Sequence, residues 1–127
     1  MEYKEILKLK EMLEKANIPF VFTDDLFGTK TIPIELRQQI QDLIDDQYPA
    51  YAIKILKNDK LLCDAIEHTG SYGNNQDLIE ICGALTTEEQ ENDTVLGYLT
   101  AEEVFKRFKY CYENNTNIYK EVNKNGN

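Results

Sequence analysis

Apolar residues along this chain fall into stretches of two different periods, and the changes of period mark out its elements. Over residues 2–17, Ile6, Leu9, Leu13 and Ala16 recur at spacings of three and four, joined by Met12, with Lys and Glu between them. That pattern is one face of an amphipathic helix. Glu11 and Lys15 add an i,i+4 pair in the favourable order, and Asn17 followed by Pro19 ends the helix. Residues 20–23 (Phe-Val-Phe-Thr) read as a short strand, closed by the turn residues Asp24, Asp25 and Gly28. A second helix is expected from Pro33, with Leu36, Ile40, Leu43 and Ile44 as its apolar stripe and Pro49 as its limit.

The period then changes to two. Tyr51, Ile53 and Ile55 alternate with Ala52, Lys54 and Leu56, the signature of a strand. Asn58-Asp59 makes a two-residue hairpin turn, because both residues tolerate positive φ. The return strand runs from residue 61 to about 69. In the register this turn implies, Ile55 faces Leu62 and Tyr51 faces Ile66. A polar loop, Gly70-Ser71-Tyr72-Gly73-Asn74-Asn75-Gln76, reverses the chain again. Residues 78–82 then alternate as a strand, with a short helix over LIEICGAL as the alternative. Residues 86–94 (TTEEQENDT) read as a solvated acidic loop. It lacks the glycine turn of a calcium loop, so no metal is expected there. Thr100-Ala101-Glu102-Glu103 is a capping box opening a last helix, whose broad apolar face carries Val104, Phe105, Phe108, Cys111 and Tyr112. After Glu113 the chain turns Asn- and Lys-rich.

These elements imply an α+β fold: a small, mostly antiparallel sheet packed against N-terminal and C-terminal helices, with an inserted helix. Residues 1–113 read as a single domain and 114–127 as a polar tail expected to fray. Tyr3, Tyr48, Tyr98, Tyr110 and Tyr119 are more tyrosines than so small a core should bury, which points to a homo-oligomer interface for some of them.

Composition narrows the function classes. A net charge of -9 argues against direct binding to nucleic acid or to an anionic membrane, each of which needs a positive face. No apolar run approaches membrane-spanning length, and the charged first residues do not form a secretion signal. Cytoplasm is therefore the expected compartment. Cys63, Cys82 and Cys111 are odd in number and widely spaced, so they read as three half-buried structural thiols. With one His and no CxxC, neither a metal nor another cofactor is expected.

No catalytic set stands out. GxSxG, a Gly-rich phosphate loop and HExxH are all missing from the sequence. His68 is the one candidate general base, with Cys82 on the next strand as a conceivable nucleophilic partner; no catalytic residue is assigned. The 70–75 loop is more suggestive of binding. Tyr72, displayed between glycines, offers a flat face for stacking, Gly73 permits close approach, and Ser71 and Asn74 supply donors and acceptors. His68 borders the loop, and Lys106 and Arg107 on the last helix could hold phosphates. The expected ligand-binding set is thus His68, Ser71, Tyr72, Gly73, Asn74, Lys106 and Arg107.

The run GSYGNNQDLIEICGALT, an acidic spacer and VLGYLTAEEVFKRF resembles small phage and prophage proteins of low-GC Gram-positive bacteria. They also open with a helix similar to EILKLKEMLEKANIPF. The resemblance covers residues 4–23 and 62–108, while residues 31–50 form a longer or different insertion. It implies a genomic setting in which genes of this size often encode non-catalytic binders of host factors. Two readings follow, both in the host cytoplasm. One is a counter-defence protein that sequesters a small nucleotide-like host signal. The other is an acidic inhibitor of a nuclease or another basic host protein.

Overall fold

A computed structural model describes residues 2–121 of the chain. Its centre is a five-stranded antiparallel meander in which each strand pairs with the next, in the order β1-β2-β3-β4-β5. The strands are β1 (Val21–Thr23), β2 (Tyr51–Lys57), β3 (Lys60–Glu67), β4 (Ile79–Cys82) and β5 (Val95–Leu99). Helices α1 (Lys4–Lys15) and α5 (Ala101–Asn114) lie side by side over one face of this sheet. Ile6, Leu9 and Leu13 of α1 and Val104, Phe108 and Cys111 of α5 bury fully against Ile53, Ile55, Ala65, Ile79 and Ile81. Each large side chain so buried contributes about 1.5–3 kcal/mol. The α+β architecture is as the periodicity implies. Ala16 is left exposed where α1 ends.

The β2–β3 hairpin has the expected turn but not the expected register. Lys57 pairs with Lys60 and Leu56 with Leu61, yet Ile55 pairs with Cys63 and Tyr51 with Glu67. Leu62 is the extra residue of a β-bulge, and beyond it every side chain of β3 changes face relative to the simple register. Ile66 therefore points to the uncovered face and Glu67 into the core. Gly83, just past β4, explains why the bulge fits. A Cβ there would stand 2.6 Å from the Leu62 carbonyl oxygen and 2.9 Å from the Cys63 Cα, at a φ of +78°.

The expected single helix after Pro33 is two short ones, α2 (Ile34–Gln39) and α3 (Gln41–Gln47), broken at Ile40 (φ -125°, ψ 27°). Its stripe is not a core face: Leu36 and Leu43 are 46% and 52% exposed, and Ile40 and Ile44 are only half-buried. The covered face of the sheet is already filled by α1 and α5. The insertion is held at its base instead, by Arg37 donating to the Ile32 and Lys30 carbonyls and by Tyr48 Oη donating to Asp24.

The acidic stretch expected to be a loop contains a helix, α4 (Thr87–Asn92). Thr86 Oγ1 accepts from the Glu89 amide while the Glu89 carboxylate accepts from the Thr86 amide, a complete capping box. The box expected at α5 is only half formed. Thr100 accepts from the Glu103 amide, with no return bond from the Glu103 carboxylate to the Thr100 amide among the described residues; the neighbouring Ala101 amide donates to Glu5 of α1 at 2.8 Å. The start of the expected frayed tail is tied down as well. Residues 117–119 run beside Ala84 and Leu85, and Tyr119 is buried with its amide bonded to the Leu85 carbonyl; residues 122–127 lie outside the described part. Tyr3 and Tyr119 are thus core residues, Tyr48 and Tyr110 are partly buried, and only Tyr98 of the five is well exposed. Cys63 and Cys111 are buried rather than half-buried, Cys82 is exposed, and all three are free thiols. Among the described residues no helix is long and apolar enough to cross a membrane.

Candidate functional site

The 70–77 loop is built from its own hydrogen bonds. Ser71, buried, exchanges two with His68: its Oγ accepts from the His68 amide at 3.0 Å and donates to the His68 carbonyl at 2.9 Å. Asn74 Nδ2 donates to the Ser71 carbonyl at 2.6 Å, and the Tyr72 amide donates to Glu80 Oε1 at 2.8 Å. A 3₁₀ turn at Asn74–Gln76 closes the loop. With these bonds holding the loop, the Tyr72 side chain projects outward, 55% exposed.

The loop seats on an irregularity in β5. Tyr98 has a φ of +62°, rare for a residue with a bulky side chain, and the β4–β5 register shifts across this position. Its amide donates to the Tyr72 carbonyl at 3.3 Å. Gly97 is required beside it, because a Cβ at that position would lie 2.3 Å from the Cβ of Tyr72. Tyr98 is 57% exposed. Tyr72 and Tyr98 line one open cavity of about 240 Å³ together with Gly70, Ser71, Gly73, Asn74, Asn75 and Gln76. Two phenol rings, three amide side chains and loop backbone are suited to a planar polar ring. No cation is among the lining residues, and the volume is below the roughly 300–1,000 Å³ of whole-ligand pockets.

The structure divides the expected set. Ser71, Tyr72, Gly73 and Asn74 come together in this cavity. His68 does not line it: its ring packs edge-on against Phe27 at 4.9 Å, and its Nδ1 accepts from the Gly70 amide. Burial lowers the His68 pKa, with Glu80 acting the other way. The imidazole therefore braces the loop from behind. Lys106 and Arg107 line a different cavity, with Glu103, Tyr119 and Glu121, and share no residue with the first. Arg107 is occupied: it forms a bidentate pair with Glu89 at 2.8 and 3.0 Å, donates to the Ala84 carbonyl and lies over the Tyr119 ring. Lys106 pairs with Glu121 at 3.1 Å.

Tyr98 is the residue that sequence reasoning missed in this role. A Gly before an aromatic in the LGYL run was the available signal, and the link to Tyr72 exists only across the fold. Cys82 and His68 form no catalytic pair either. Cys82 stands opposite Asp64 in the β3–β4 ladder, and Asp64 is four residues before His68, which lies just past the end of β3. Burial, then Asp64 and Glu80, push its thiol pKa up, away from the thiolate a nucleophile needs. Among the described residues no group of three His, Cys, Asp or Glu side chains is placed to hold a metal ion. Comparison with protein-family models, with curated proteins and with solved structures gives no match.

Proposed function

We propose that this chain is a non-catalytic binding protein that sequesters a small nucleotide-like ligand, with the ring of the ligand held at Tyr72 and Tyr98. The observation that carries the reading is two tyrosines, each more than half exposed, one on the 70–77 loop and one on β5, lining one cavity. Exposed aromatics on a rigid support lose little entropy when they bind. The cavity fits a base, not a whole nucleotide, and offers no cation, so the phosphates lie outside it. A second copy of the chain facing the open cavity would complete the enclosure, and a homo-oligomer is part of the proposal. The setting implied by the resemblance is a phage or prophage accessory protein acting against a defence signal in the host cytoplasm.

A calorimetric screen of cyclic and linear nucleotides tests this. Base–aromatic stacking contributes about 1–3 kcal/mol, so Tyr72→Ala should lose roughly five- to a hundredfold in affinity, and Tyr98→Ala a similar amount. Absence of heat with every nucleotide would end the ligand reading.

The second reading, an acidic inhibitor of a basic host protein, has its own support. Glu88, Glu91 and Asp93 in and after α4 are exposed, on a chain whose net charge is -9. Neutralising those three acids should then release a partner retained from host lysate, and Tyr72→Ala alone should not. Glu89 belongs outside that test, because it is bound to Arg107.

A further inference from the structure

Helix α1 has no side-chain cap of its own: its N-cap residue is Tyr3. Two carboxyls from elsewhere in the chain take its first amides. Asp77, at the end of the binding loop, accepts from the Glu5 amide at 3.1 Å, and Glu67, the last residue of β3, accepts from the Ile6 amide at 3.2 Å. Glu67 is fully buried, and its Oε2 has no hydrogen-bond partner among the described residues. Facing it are Asp77 from the loop, Glu5 from α1 and the Tyr51 phenol, its cross-strand neighbour on β2. None of these is a cation.

We infer that Glu67 and Asp77 form a one-proton latch that seats the 70–77 loop on the first turn of α1. A buried carboxylate beside a second carboxylate is strongly disfavoured, so one of the two holds a proton. Glu67 is the one without water. Burial first, and then Asp77, push its pKa up to about 9. Protonated, it no longer sets a second negative charge at the first turn of α1. Losing that proton sets two anions together, and among the described residues no cation faces Glu67 to offset them. The attachment that yields is Asp77, because it is only partly buried and belongs to a loop, whereas Glu67 is fixed in the sheet. Glu67 is thus a positioning residue for Tyr72. Its consequence for binding rests on the role proposed above for the loop, but the latch itself can be read without any ligand.

Carbon-13 NMR of the labelled full chain, without ligand, tests it. Carboxyl signals and the backbone carbonyl signals of Gly73 and Asn74 are followed from about pH 4 to about pH 10; phenol rings ionise at about 10 themselves and are not used. The Glu67 carboxyl should titrate with a midpoint of about 9, and the two loop carbonyls, which accept from Gln76, Asp77 and Leu78, should shift with the same midpoint. Glu67→Gln keeps an acceptor for Ile6 and a donor toward Asp77, so it should retain the neutral-pH carbonyl shifts and lose the step. Asp77→Asn should move the Glu67 midpoint down. A Glu67 carboxyl titrating in the ordinary range, or a loop-carbonyl step that persists unchanged in Glu67→Gln, would overturn the latch. Failure of nucleotides to bind would leave both readouts in place and would count only against the proposed function.

Discussion

The bulge at Leu62 turns Glu67 inward, and Gly83 makes the bulge possible, so Gly83→Ala is the sharpest probe of the fold. Two costs add. Forcing an L-residue to a φ of +78° costs about 1–2 kcal/mol. The new methyl would also meet backbone atoms at 2.6 and 2.9 Å, and overpacking of that kind costs about 1–3 kcal/mol more. The expected loss is therefore about 2–5 kcal/mol. Gly28→Ala is the internal control. Its φ of +69° carries the same conformational cost, but its Cβ would meet only Thr31 Oγ1 at an ordinary 3.4 Å, so about 1–2 kcal/mol should be lost. Urea unfolding of both variants beside wild type isolates the steric part as their difference. Equal losses in the two variants would refute the close approach of Gly83 to the bulge. If the strand instead relieves the clash by slipping one residue, Glu67 turns outward, and its carboxyl should titrate near the ordinary 4.5 rather than at about 9.

Three further outcomes are expected. Thr86→Ala removes half of the α4 capping box and should cost about 1 kcal/mol; an unchanged urea midpoint and slope would remove the cap from the account. Arg107 holds the Glu89 carboxyl below its ordinary value, so the pair stabilises the fold above the ordinary carboxylate range and that contribution is lost as pH falls through the depressed value. Glu89→Gln should then lower stability at neutral pH by about 1.5–3 kcal/mol and flatten the acid limb; a variant with the wild-type acid limb counts against this. In native protein a thiol reagent should modify Cys82 alone, with Cys63 and Cys111 reacting only after unfolding. Burial pushes the Cys111 pKa up to about 11 and that of Cys63 up as well. Rapid loss of two or more thiols under native conditions would contradict the packing of β3 on α5.

What the sequence determined by itself are features set within about four residues of chain. The stripe Ile6, Leu9, Leu13 makes α1, the alternation from Tyr51 makes β2, Asn58-Asp59 makes the turn, and Thr100 caps α5, each through period or a local hydrogen bond. The capping box of α4 was equally local, in Thr86 and Glu89, but the acidic composition around it looked like solvated loop. Tertiary structure decided everything that joins distant positions. The bulge at Leu62 depends on Gly83 in the following turn, and a one-residue shift there exchanges Ile66 for Glu67 in the core. Arg107 looked available for phosphate because Glu89, 18 residues upstream, becomes its partner only when α4 lies against α5. The stripe of residues 36–44 has a helical period, but the face it would cover is occupied. Tyr98 meets Tyr72 only across the β4–β5 edge. Periodicity tells which face a residue prefers. Which residues actually meet is set by a register whose free energy sums over the whole sheet, and no local window contains that sum.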